Sequence, residues 1–289
     1  MQVPLLALIA GFLAGPLVNL TADYLSARRH HDLARTNPFV SPQAVPPKPA
    51  FLPHREPGKR WPIVLWSGTA AAIARAPVFA PHTRLRHVLT EIAMTLGFVW
   101  ISEEYASNSH LPFLLFYAAV FALVVIIDLE HRWVLFDTIW PPALVAIAEA
   151  AFVPGRIGLI DCLRGGLYGF GILLGLYILG LLFAKAVGLL TGRRVGRTVL
   201  GFGDVRLGTL SGLILGWGAL GPALLLMILS GAIAALVFIV YKVIKTRRYR
   251  IFSAIPYGPY VVFGTAIMLY APWIMGDVMA LILQRRYGM

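Results

Sequence analysis

An all-α, polytopic membrane fold is predicted for this 289-residue chain by three observations. Hydrophobic residues make up 58% of it and charged residues only 13%. Its mean hydropathy is strongly positive. Several apolar runs reach the roughly 20 residues that carry a helix across a hydrocarbon core of about 30 Å. Soluble folds are poor candidates for such a chain. Counting the runs predicts about eight transmembrane helices, with a proline-rich cytoplasmic insert after the first.

The first run, Val3 to Leu20, lacks a basic leader region and reads as a span rather than a cleavable signal, so residues 1–20 are expected to form the first transmembrane helix. Residues 21–87 follow as the insert, which carries Arg28, Arg29, Arg35, Arg55, Arg60, Arg75, Arg84 and Arg86 with Lys48 and Lys59. That concentration of positive charge predicts a cytoplasmic position. Its middle, "NPFVSPQAVPPKPAFLPHREP", is too rich in proline for long helices and should be extended. The next stretch, "IVLWSGTAAAIARAPVFA", is apolar but interrupted by Arg75 and closed by Pro77, which suits an interfacial or packed helix better than a span.

Further spans are expected at Val88 to Tyr105, Leu111 to Ile127, Val134 to Val153, Leu163 to Leu190, Leu207 to Leu220, Ala223 to Tyr241 and Tyr257 to Leu283. The connectors "SNSH" and "PGRIGLID" carry little positive charge, whereas "TGRRVGR" and "KVIKTRRYR" are strongly basic. Alternation then puts the insert, the end of the third span near Asp128, the "GFGD" region and the 242–256 loop on the cytoplasmic face of a cell inner (plasma) membrane. Arg285 and Arg286 would end outside, against the charge rule. Gly165, Gly166, Gly169, Gly171, Gly175 and Gly180 give the fifth span a small-residue face suited to close helix packing. No internal repeat points to an inverted-repeat transporter.

The formal net charge of +12 does not indicate nucleic acid, because the basic residues flank apolar runs instead of forming a basic face with interleaved aromatics. The lipid bilayer is the expected environment. Cys162 is the single cysteine, which excludes an intrachain disulfide and leaves packing as its role.

Two acids stand out. Asp128 ends a clean apolar run in "FALVVIIDLEHR", and Asp204 lies in "VLGFGDVRLG" at the start of another, so both are expected at one depth of the membrane. An ionisable group in a bilayer is a functional-site hypothesis by default. Two carboxyls a few ångström apart cannot both ionise cheaply, and such a pair holds one proton between them. One can then deprotonate a water while its protonated partner polarises a carbonyl, the chemistry of aspartic proteases. Gly201 and Gly203 would let backbone approach closely. Taken singly, the blander readings are a helix N-cap for Asp204 and an ordinary helix-terminal acid for Asp128.

Taken in order, "IIDLEHR", "GFGDVRLG" and "IPYGPY" resemble the type IV prepilin peptidases, the GxGD family of membrane aspartic proteases. The likeness runs from about Thr90 to Tyr260, and Gly15 and Asn19 of "GPLVN" are similar to the family's opening motif, with Leu17 in place of its aromatic residue. It implies that residues 88–289 form a protease core with Asp128 and Asp204 catalytic and Gly201, Gly203, Pro256, Gly258 and Pro259 as supporting motif residues. The implied reaction is removal of a basic leader from prepilin or pseudopilin substrates at the cytoplasmic face, as in type IV pilus assembly and type II secretion. Glu91 is similar to an acidic position of the family, and Glu91 and Glu130 are expected as substrate contacts, with Asp137 a further acid that would attract a basic leader. Proteolysis of this kind needs no cofactor. Bifunctional members also N-methylate the new N-terminus with S-adenosylmethionine, but no glycine-rich loop on a strand-to-helix turn is present here.

The chain departs from the family in two places. Many members carry paired CxxC motifs in the insert, fit for zinc, and this insert has no cysteine. His30, His31, His54, His82 and His87 are irregularly spaced and read as solvated, so no metal is expected. Asp137 in "LFD" stands one residue away from the family's acidic or amide position. A presenilin-like protease would favour a YD motif over the ID found here. From another class, an ion- or proton-coupled membrane transporter would use the same two aspartates, and a structural assembly protein would leave them without a use.

Overall fold

The computed structural model describes residues 2–37, 67–74, 81–191, 201–246 and 256–276, with residues 40, 45, 46, 49 and 51. The "TGRRVGR" connector after its Thr191, Arg75, Pro77, Arg285, Arg286, and most of the proline-rich stretch and of the 242–256 loop lie outside the described residues. All regular structure among the described residues is α-helical, and the chain forms two compact units, Met1–Ile127 and Asp128–Met289. Among the described residues four segments are long and apolar enough to cross a membrane: Leu5–Thr36, Leu111–His131, Leu159–Leu190 and Phe202–Tyr241.

The first unit is built on α1 (Gln2–Thr36) and α3 (Pro81–Glu104), with α2 (Gly68–Ile73) against α3 and most of α4 (Leu111–His131) following. The α1 and α3 backbones approach closely at Gly15, where an added Cβ would stand 2.6 Å from the Glu91 Cα. One turn further, the Asn19 amide donates to the His87 carbonyl at 3.1 Å. Asp23 then takes Arg86 at 2.6 Å and His87 at 3.0 Å. These polar ties explain why α1 continues past the expected boundary at residue 20: its turns around Asn19 and Asp23 are docked on α3. By the same reasoning α3 begins at Pro81, inside the expected insert. His87 is therefore not the solvated histidine expected from spacing, because it is fully buried against Asp23. His31 bonds the Pro46 carbonyl at 2.7 Å, while His54 lies outside the described residues.

The second unit contains α5 (Phe136–Phe152), α6 (Leu159–Thr191), α7 (Phe202–Thr246) and α8 (Gly258–Tyr270). Two devices shape its start. Arg132 has a positive φ of 58° and closes α4 by donating its N–H to the Asp128 carbonyl at 2.8 Å, the left-handed cap that ends many helices. Leu135 then opens α5 from extended backbone, its carbonyl taking the Thr138 hydroxyl at 2.8 Å.

The α7 segment is two helices joined at Gly216, whose φ of 72° and ψ of 179° leave the helical region. Its halves run in opposite directions, as their contacts with α8 require. Thr265 of α8 bonds Ser211 of the first half at 2.7 Å, while neighbouring Gly264 lies on Ala223 and Met227 of the second. At the other end of α8, Tyr257 sits against Gly231 of the second half. The two expected spans, Leu207 to Leu220 and Ala223 to Tyr241, thus correspond to one hairpin. Against the first half, α6 runs antiparallel, Gly165 facing Gly212 and Gly216 and Gly169 facing Gly208. The small-residue face is narrower than expected: Gly171, Gly175 and Gly180 have open space beside them. Cys162 is buried, its thiol 3.9 Å from the Ala146 carbonyl, in keeping with a packing role.

Candidate active site

One end of the second unit collects Asp128, Gly201–Asp204 and Tyr257–Gly258. Asp128, in the last turn of α4, is 4% exposed, and Asp204 is 8% exposed, so neither is an ordinary solvated acid. Gly258 donates its backbone N–H to Asp128 Oδ2 at 2.9 Å. A Cβ on Gly258 would stand 2.7 Å from that same oxygen, which is why a glycine is needed here. Pro259, next in the chain, lies in the first turn of α8, where its missing N–H costs nothing. Pro256 is half-buried just before the turn.

The GFGD segment forms its own turn. Gly201 stands at the N-cap position of α7 and donates its N–H to Asp204 Oδ2 at 2.9 Å, while Asp204 N–H returns a bond to the Gly201 carbonyl at 3.1 Å. The bond from the Gly201 N–H to the carboxylate is one arm of a capping box, with Asp204 as the third helical residue rather than the N-cap itself; the returning bond is main chain to main chain, since glycine has no side chain to supply the other arm. Gly203 faces Val134 of the loop after α4, a Cβ there falling 2.8 Å from that of Val134. Arg206, one turn below, lies over the Phe202 and Phe136 rings at 5.0 and 5.5 Å, tying the starts of α5 and α7 together.

The two carboxyls lie within electrostatic reach of one another, and Tyr257 is within reach of Asp204. Among the described residues each aspartate accepts a single hydrogen bond, and each donor is a backbone N–H of a glycine. Among the described residues no other donor takes their remaining lone pairs. Two buried acids that feel each other's charge can divide base and acid roles between them, one ionised and one protonated.

The other acids are placed differently. Glu91 belongs to the first unit, where its buried carboxylate accepts from the Ser67 hydroxyl at 2.6 Å and the Gly68 and Thr69 N–H groups at 2.6 and 3.0 Å. Protein donors occupy it, and it caps α2. Gly15 and Asn19 meet α3 at Glu91 and His87, so the opening motif and Glu91 form one packing cluster. Glu130 lies at the end of α4, 3.8 Å from the His131 ring, and Asp137 lies in the first turn of α5, where an acid complements the helix dipole. Among the described residues no cluster of His, Cys, Asp or Glu could hold a metal ion.

Tyr257, Val134 and Arg206 were not singled out by sequence, although each adjoins a recognised motif. No family model, curated protein or solved structure matches the chain.

Proposed function

We propose that the chain is a membrane-embedded aspartic endopeptidase that cuts the basic leader from prepilin-like or pseudopilin-like substrates. The observation that carries this reading is the burial of Asp128 and Asp204 at one end of the second unit, each accepting a glycine N–H, with Asp204 within reach of the Asp128 charge. In the proposed reaction one aspartate removes a proton from water as the water attacks the scissile carbonyl, and the other, protonated, donates to the carbonyl oxygen. The tetrahedral adduct then collapses, the amide nitrogen taking a proton as the C–N bond breaks. The reaction draws on the two acids and water alone, without a cofactor. S-adenosylmethionine would enter only through the second, methyl-transferring activity of the family the motifs resemble.

An eight-span topology goes with this reading. The two halves of α7 count as separate spans, α3, α5 and α8 add to the four long apolar segments, and the basic insert faces the cytoplasm with the aspartates. A substrate helix lying in the bilayer would then present its leader junction at the depth of the pair.

The test is co-expression with a candidate prepilin followed by mass spectrometry of the recovered pilin. The proposal expects a product shortened at the leader junction with the wild type and full-length precursor with Asp128→Ala or Asp204→Ala. Wild-type processing by both variants would eliminate it. Ion flux in proteoliposomes that needs both aspartates, without any cut, would favour a transporter instead.

A further inference from the structure

The end of the second unit remote from Asp204 holds a buried ion pair that the proposed reaction does not use. Glu149, near the end of α5, is 1% exposed. Its two oxygens accept from Arg156 Nε at 2.9 Å and Nη2 at 2.8 Å, a two-pronged pairing. The third arm of the guanidinium, Nη1, donates to the Ile214 carbonyl at 2.5 Å.

Ile214 stands two residues before Gly216. In an uninterrupted helix its carbonyl would accept from the residue four positions on. Gly216 leaves the helical region at that point, so the carbonyl loses its helical partner. Buried backbone acceptors are almost always satisfied, and Arg156 supplies the donor. The same connector braces the turn sterically, since Ile157 would lie 3.2 Å from a Cβ at Gly216. Only the planar fork of an arginine can grip a carboxylate by one edge and a carbonyl by another; a lysine cannot make all three bonds.

From Asp204 to Ile214 the chain is one helix, a rod of about 15 Å at 1.5 Å per residue. Along it, the facing glycines of α6 and α7 bring the two helices close, and Leu213 and Leu173 seat on Gly166 and Gly208, so α7 moves as one packed rod whose far end Arg156 holds. We infer that Glu149 and Arg156 are positioning residues: they clamp the α7 reversal and so set the height at which α7 presents Asp204 to Asp128. The kinetic part of this inference rests on the proposed protease activity. The structural part does not.

Hydrogen–deuterium exchange of the full chain in nanodiscs, read by mass spectrometry, tests it. In Arg156→Gln, exchange over residues 202–215 should rise about tenfold or more while residues 81–104 stay unchanged, and Arg156→Lys should fall between. With a prepilin-like peptide, kcat should drop about tenfold in Arg156→Gln at nearly constant KM, with partial recovery in Arg156→Lys. Unchanged exchange over 202–215 in Arg156→Gln overturns the clamp, and faster exchange with unchanged kcat overturns the positioning of Asp204. Should Arg156→Gln fail to fold, the double variant Glu149→Leu with Arg156→Met removes both charges at similar volume, a change buried ion pairs often tolerate. It should show the same faster exchange, and wild-type exchange there overturns the clamp equally. A wild-type chain that cuts no peptide counts against the protease reading alone, because exchange still decides the clamp.

Discussion

Glu91 in the first unit and the aspartate pair in the second are buried carboxylates with opposite economies of hydrogen bonding. Glu91 accepts three protein donors, from Ser67, Gly68 and Thr69, and joins α2 to α3. Asp128 and Asp204 each accept one among the described residues. A saturated acid stabilises a fold and has nothing left to offer a substrate, whereas an acid held by one bond is oriented and still available. The comparison separates buried acids by their occupancy, where sequence separates them only by neighbourhood.

The largest effect should come from the pair. Asp128→Asn and Asp204→Asn keep size and remove the proton chemistry, so cleavage should fall by roughly 10³-fold or more while the melting temperature in detergent hardly moves. A gel assay beside a thermal melt checks both halves, and activity in both variants would break the contrast. Glu91→Ala should do the reverse. Stripping three buried donors of their acceptor should cost roughly 2–4 kcal/mol, visible as a lower melting temperature, while the protein that remains folded cleaves at a near-normal rate. Next comes Gly258→Ala, whose methyl would press on Asp128 Oδ2. Cleavage should drop about 10- to 100-fold with a smaller change in melting. Gly15→Ala should have the smallest effect on catalysis: its methyl would meet Glu91 at the α1–α3 contact, destabilising the first unit by roughly 1–3 kcal/mol with little change in kcat.

Much of the fold was legible because lipid-facing helices announce themselves by length and apolarity. The runs at Leu111 and Leu163 became α4 and α6 with small shifts at their ends. Helix ends were less legible, since tertiary contacts set them. The continuation of α1 past residue 20 is tied to Asp23 reaching Arg86 and His87, residues far along the chain. Asp128 and Asp204 could be chosen from sequence because each interrupts or borders an apolar run. That Glu91 is a packing acid could not be chosen this way, because its donors lie on α2, a six-residue helix with no periodic signal of its own. Arg156 escaped notice for a related reason: one basic residue in a weakly charged connector reads as solvated until its partners on α5 and α7 are known.

The donors to both aspartates are main-chain groups, and this determines how the site responds to mutation. Exchanging a side chain nearby cannot delete an N–H that belongs to the peptide linkage; only a proline at that position, or bulk that displaces the strand of chain, can do so. The polarity around the acids is thus inherited from the path of the polypeptide, and residues beside them are free to vary in chemistry so long as they stay small where the path is tight.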